Sequence, residues 1–228
     1  MNQVTDQQII EILRKEAVPA LGCTEPVACA LACAKCKEVL GSVPERLDVL
    51  VSGNIYKNGM GVGIPGTGMV GLPIAAALGA VCGKSEYGLE VLKEVNLGDN
   101  LQRAKDMLGQ VTVSLKEDAP DKLYAEALAT KGNDTVKVII AHTHTNIVLV
   151  EKNGEEIFKR EFRLDTSKPE DKGPELSVKR IWDFVHEVDV KDIEFVLQGA
   201  EMNKAISAEG LNSEYGLQIG KTLKENID

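Results

Sequence analysis

Leu21-Gly22-Cys23-Thr24-Glu25-Pro26, together with the Ala-rich run from Val27 to Leu40, is the stretch around which the chain organises itself. Pro26 suits the first turn of a helix, where its missing N–H would have had no partner, and Thr24 or Glu25 can cap the free amides beside it. Ala, Leu, Cys and Lys carry the helix to Leu40, and Gly41 stands where a left-handed C-terminal cap belongs. Cys23 then lies just ahead of the first turn, where the unsatisfied amides present roughly half a positive charge. Such a position favours the thiolate, the form of cysteine that acts as base, nucleophile or metal ligand. The alternative is a small apolar residue in a turn leading into a helix.

Outward from this helix the pattern changes once. Residues 5–17 place Ile9, Ile10, Leu13 and Ala17 at helical spacing after a Thr5/Asp6 cap. After the central helix come a short strand at 46–52, the segment 54–60 and the glycine-rich run 61–71. A second Ala-rich helix then begins at Leu72 with Pro73 in its first turn and stops at Gly83. Short helices are predicted over 86–96 and 99–108. From Val111 the period falls to two, over 111–115, 123–128, 136–150 and 155–162, with Asn153-Gly154 a strong hairpin signal between the last two. The polar segment 165–175 reads as a linker, and 177–186, 191–210 and 213–225 as helices. The expected fold class is therefore α+β. Ala/Gly-rich helical segments (1–108) pack with a four-stranded antiparallel sheet (109–163), and C-terminal helices (176–228) follow, all in one mixed domain over 1–228. The last helix stops at Asp228 without a cap, as a truncated chain would.

Composition narrows the function. Of 228 residues 43% are apolar and 27% charged, an ordinary globular balance long enough for a sizeable core. A net charge of −9, with no basic run interleaved with aromatics, argues against nucleic acid as a partner. Aromatics at 4% suit a small polar ligand better than a large apolar groove. No apolar run reaches membrane-spanning length and the N-terminus does not read as a cleavable signal, so no membrane partner and a cytoplasmic location are expected. Five cysteines, four of them between 23 and 36, read as reduced thiols.

Three motifs invite chemistry. Gly66-Thr-Gly68-Met-Val-Gly71 fits a dinucleotide fingerprint in letters but not in context, since it does not follow its strand directly and the later acidic strand end is missing. What survives is a glycine loop whose amides, running into a helix, suit a substrate carboxylate. Cys29, Cys33 and Cys36 have the spacing of an iron–sulfur site, yet inside one helix they share a face and read as buried small residues. No metal site is assigned. His142-Thr-His144-Thr-Asn146 interrupts an apolar strand, so alternation puts His142, His144 and Asn146 on one face as a hydrogen-bonding patch, while His186 sits at a helix end.

Taken together, Pro19-Ala-Leu-Gly-Cys23-Thr-Glu-Pro26, Asn54-Ile-Tyr-Lys-Asn-Gly-Met60, Gly63-Ile-Pro-Gly-Thr-Gly68 and Ile74-Ala-Ala-Ala-Leu-Gly79 resemble the L-cysteine desulfidase family. That family is related to the alpha chain of iron–sulfur L-serine dehydratases. The resemblance implies an oxygen-sensitive lyase that converts L-cysteine to pyruvate, ammonia and hydrogen sulfide, using a four-iron, four-sulfur cluster instead of pyridoxal phosphate. It also implies that Cys23 removes the α-proton. Family members are about twice this length, and their cluster cysteines lie in a C-terminal half absent here, so Cys29, Cys33, Cys36 and Cys82 inherit no ligand role. The chain alone is expected to hold no cluster. It is read as a fragment, a truncated gene product or one subunit that needs the missing C-terminal half or a partner subunit, and a homodimer is compatible with it. Within it, Gly66, Thr67 and Gly68 are candidates for the carboxylate of L-cysteine or L-serine, and Asn54, Lys57, Asn58 and His142 for orienting the substrate. The competing class is a non-catalytic small-molecule-binding or assembly domain.

Overall fold

The computed structural model describes residues 4–160, 176–214 and 218–226. In chain order the helices are α1 (Asp6–Glu16), α2 (Thr24–Leu40), α3 (Gly53–Gly59), α4 (Leu72–Cys82), α5 (Asn100–Met107), α6 (Val178–Glu187), α7 (Val190–Ile193), α8 (Val196–Asn212) and α9 (Ile219–Glu225). The strands are β1 (Arg46–Val51), β2 (Gly63–Ile64), β3 (Met69–Val70), β4 (Val111–Leu115), β5 (Tyr124–Lys131), β6 (Asp134–Ala141), β7 (Ile147–Lys152) and β8 (Glu155–Lys159). The chain divides into two compact units, Ala20–Thr166 and Met1–Pro19 with Ser167–Asp228.

The larger unit is a sheet with helices laid on it, an α+β arrangement. Its six strands run in the order β4-β1-β5-β6-β7-β8, antiparallel throughout except that β1 and β4 are parallel. This corrects the expected four-stranded meander in two places. Residues 111–115 do not pair with β5. Instead β1 slides between them, because Leu47, Val49 and Val51 match Ala129, Ala127 and Ala125 across the antiparallel ladder and give one continuous buried face. The parallel β1–β4 pair needs a long crossover, and α3, α4 and α5 all lie within it. Residues 136–150, expected as one strand, are two: the chain reverses at 142–146 before β7. The Asn153-Gly154 hairpin forms as its residues dictate, with φ of 53° and 85°. Further upstream, 86–96 is a 3-10 segment at Ser85–Glu90 followed by turns rather than one helix.

Two helices fill the space over the sheet. Residues 26–34 and Cys36 of α2 are buried, and so is nearly every residue of α4, so neither helix carries an amphipathic stripe. Their crossing is closer than side chains allow: a Cβ on Gly79 would lie 2.2 Å from the carbonyl oxygen of Ala30. Small residues on β5, Ala125, Ala127 and Ala129, let α2 settle onto the sheet, and the Cys36 thiol donates to the Ala127 carbonyl at 3.5 Å. Gly41 caps α2 at φ 76°, as its position in the sequence requires.

In the smaller unit, Thr5 caps α1 through a reciprocal pair with Gln8. Val4, Ile9, Ile10 and Phe184 form its core, and the buried Arg180 donates to the Val4 carbonyl at 2.6 Å and pairs with Asp6. The span expected as a helix at 191–210 is broken at 194–195, and among the described residues that expected at 213–225 contains α9. The expected linker, 165–175, lies outside the described residues. Among the described residues no helix is long and apolar enough to cross a membrane.

Candidate functional site

The polar end of α2 is where the sequence candidates gather. Gly22, at φ 101°, turns the chain into the helix, and a Cβ there would sit 3.3 Å from the ring of Pro65, so the β2–β3 hairpin lies against this turn. Cys23, not Thr24 or Glu25, takes the N-cap position and makes no capping bond with its side chain. Its thiol donates instead to Glu25 Oε2 at 2.8 Å. The other carboxylate oxygen, Oε1, accepts from Asn58 Nδ2 of α3 at 3.0 Å. Beside them Thr24 Oγ1 and His144 Nε2 are 3.2 Å apart, which brings in the turn between β6 and β7. Three elements distant in sequence thus converge on four consecutive residues.

The electrostatics reverse one expectation. Burial, then the Glu25 hydrogen bond, push the Cys23 thiol above its ordinary value, and the helix amides do not outweigh them. Glu25 is held below the usual carboxylate range, first by the thiol it accepts from and also by Asn58. At rest the proton is on sulfur and the charge on oxygen. Burial lowers His144, and the Glu25 charge opposes that shift, so the ring is neutral at pH 7 and its tautomer decides which way the Thr24 bond runs.

The remaining candidates fall differently. Asn54 and Lys57 share the exposed face of α3 with Asn58, at helical spacing, but of the three it is Asn58 that reaches Glu25. Gly66, Thr67 and Gly68 form the tip of the β2–β3 hairpin; β3 and Gly71 intervene before α4, so the loop does not open a helix and gains nothing from its dipole. Thr67 is spent on the hairpin itself: its amide and hydroxyl donate to the Ile64 carbonyl at 3.2 and 2.6 Å, and its oxygen accepts from the Met69 amide. His142 sits at φ 69° and turns onto Asp121, with ring Nδ1 2.8 Å and backbone N–H 3.0 Å from the same oxygen. The shared strand face expected for His142, His144 and Asn146 is therefore absent. The turn is closed by Asn146, whose amide donates to the Thr143 carbonyl and whose Nδ2 donates to that of Ala141.

Two participants are not among the candidate site residues of the sequence: Glu25, read as a cap whose charge close to the Cys23 sulfur would oppose the thiolate, and His144, grouped with His142. A carboxylate two residues beyond a helix N-cap is the signal that points to the first. The residues present do not fit an iron–sulfur cluster. Cys29, Cys33 and Cys36 are fully buried under the sheet, Cys29 pushed up by burial to about 12, and Cys82 is buried too. Among the described residues no group of three or more His, Cys, Asp or Glu is placed to hold a metal ion.

Comparison with known proteins gives relatives by sequence. A UPF0597 protein of Parabacteroides distasonis is 45% identical over 229 residues, covering 98% of this chain and 52% of its own length. A UPF0597 protein of Dichelobacter nodosus is 45% identical over 227 residues, with 99% and 52% covered. One from Oleidesulfovibrio alaskensis is 46% identical over 221, with 96% and 51% covered. No family model matches the chain, and no solved structure does. The chain spans about half the length of these relatives.

Proposed function

We propose that this chain is part of a carbon–sulfur lyase that eliminates hydrogen sulfide from L-cysteine, with Cys23 taking the α-proton. The observation that supports the reading best is the contrast among the cysteines. Cys29, Cys33, Cys36 and Cys82 are buried, whereas Cys23 is partly open and hydrogen-bonded to a carboxylate at 2.8 Å. A base must reach substrate and must have somewhere to send its proton. Asn58 and His144 border the same spot and suit the polar ends of a small amino acid, with Asn54 and Lys57 on the exposed face nearby. The hairpin tip abuts the turn through Pro65, and with the Thr67 amide spent on Ile64 it is the Gly66 and Gly68 amides that are the candidates for the carboxylate.

Acidifying an α-proton demands more than a thiol. Since the residues here do not fit a cluster, whatever polarises the substrate lies outside them, in the remaining half of the relatives' length or in a partner subunit. The chain alone is accordingly proposed to be inactive, to act in the cytoplasm, and to hold no cluster by itself. L-Serine is the alternative substrate, through the same base. The test is anaerobic sulfide and pyruvate release by a protein of the relatives' full length, after iron reconstitution, beside the 228-residue chain. Release by the long form, lost in Cys23→Ala, is the expected result. A long form that releases neither sulfide nor pyruvate leaves a binding or assembly domain as the reading.

A further inference from the structure

We infer that Glu25 is the proton partner of Cys23, so that the working base is a thiol–carboxylate pair and not a thiolate activated by the helix. The inference rests on the lyase reading for its chemistry, but the pairing itself is a property of this chain. Three observations carry it. The Cys23 Sγ to Glu25 Oε2 distance of 2.8 Å is short for a thiol donor. The second oxygen is pinned at 3.0 Å by Asn58, from a different helix, so the carboxylate is oriented rather than loose. Cys23 makes no capping bond, although its position is the one from which a side chain ordinarily caps. The thiol donates its hydrogen bond to the carboxylate, while the Thr24 and Glu25 amides near the sulfur act on it too weakly to offset burial and Glu25.

In water a carboxylate lies about four pK units below a thiol, so at rest the transfer from sulfur to oxygen is uphill and the thiol stays protonated. The pair therefore acts in a concerted step. The substrate Cα–H bond breaks toward Sγ while the Sγ–H proton passes to Glu25. The Cα–H electron pair becomes the Cα=Cβ bond, and the Cβ–S bond breaks with its electrons leaving on sulfide. Glu25, now protonated, gives its proton to the departing sulfide, and both groups return to their starting states. The 2-aminoacrylate left behind tautomerises and takes up water to give pyruvate and ammonia. No free thiolate accumulates, in keeping with a site in which burial works against one. From other elements, Asn58 and the titratable His144 bear on Glu25.

A helix-dipole role for Glu25, an acid in the first turn with no part in proton transfer, is the competing account. Iodoacetamide labelling of the 228-residue chain from about pH 6 to pH 10, read by peptide mapping, separates the two. With the pairing, wild-type Cys23 titrates above the ordinary thiol value of about 8.5, and Glu25→Gln lowers it, labelling about tenfold faster at neutral pH for each unit recovered. Cys29, Cys33 and Cys36 stay unlabelled in both and report an intact fold. Equal Cys23 rates in wild type and Glu25→Gln, or a wild-type midpoint at or below about 8.5, overturn the pairing. Should Glu25→Gln expose the buried cysteines, Asn58→Ala, which frees the second carboxylate oxygen, is labelled in its place, and a Cys23 rate equal to wild type overturns the pairing. In a full-length active form, Glu25→Gln is expected to cut sulfide release about 100-fold or more while its Cys23 labels faster; release within a fewfold of wild type overturns the relay. A wild-type long form that releases no sulfide sinks the lyase reading, and the labelling profile then judges the pairing by itself.

Discussion

The open end of α2 and its buried body use the same residue type for opposite ends. Cys33 sits among Ala30, Leu31 and Ala34 with no exposure, and burial drives its thiol far above its ordinary value, so it is a small apolar filler. Cys23, less than three turns away, keeps access to solvent and has a carboxylate for company. A thiol's chemistry is thus set by whether the fold supplies a partner, and the body of α2 exists to hold its open end in place. The body achieves this by close packing: α2 lies between α4 and strands β5 and β6, and nothing in it can move without disturbing three neighbours.

The sharpest way to break the comparison is to part α2 from α4. Gly79→Val places a β-carbon 2.2 Å from the Ala30 carbonyl oxygen, a backbone atom that cannot swing aside. The expected loss is more than about 3 kcal/mol, at the upper end for overpacking, read as a shifted urea midpoint. Because the helix moves as a unit, Cys29, Cys33 and Cys36 should become open to labelling along with Cys23. A variant with wild-type stability means that the helices are not in this contact.

A milder comparison exchanges sulfur for oxygen at each end. Cys33→Ser buries a hydroxyl in an apolar setting and should cost about 1–3 kcal/mol. Cys23→Ser replaces a half-exposed thiol by a hydroxyl that still reaches Glu25, and should cost less than about 0.5 kcal/mol. Similar costs at the two positions, by chemical denaturation, remove the distinction between body and open end.

How far the sequence led differs for the two ends. The body was readable: Pro26 and Gly41 bracket α2, Pro73 and Gly83 bracket α4, and their Ala-rich composition announces close packing. Local rules also found the Asn153-Gly154 hairpin and the Thr5 cap. What they missed is non-local. β1 enters the sheet between β4 and β5 by matching faces far apart in the chain, and no periodicity states which strands are neighbours. The 136–150 run alternates well enough for one strand, and only the left-handed His142 and the Asn146 bonds show a reversal. That reversal is why His144 meets Thr24 while His142 meets Asp121. The Cys23 turn was recognised as a site from its own residues, but its partners come from α3 and the β6–β7 turn, which sequence alone did not place there.

The smallest effect tests the charge at the open end by pH. Glu25 has a folded pKa below its unfolded one, so the stability it contributes is present above the ordinary value of 4.5 and is lost as pH falls through the folded value. Cys23 is shifted the other way. Its contribution is present below the ordinary thiol value and is lost as pH rises through the folded one. His144, lowered from 6.5, behaves as the carboxylate does, costing stability as pH falls through 6.5 toward its folded value. The open end should therefore contribute a plateau between the two limbs. Glu25 is only half-buried, so screening keeps its share below about 1 kcal/mol. Urea midpoints of wild type and Glu25→Gln at neutral pH and in acid isolate it. The gap between them should be present at neutral pH and shrink in acid, as the wild-type carboxylate gains the proton that the amide never needs. A gap that widens in acid reverses the sign of the Glu25 shift, and with it the claim that this carboxylate accepts the Cys23 hydrogen bond in its charged form.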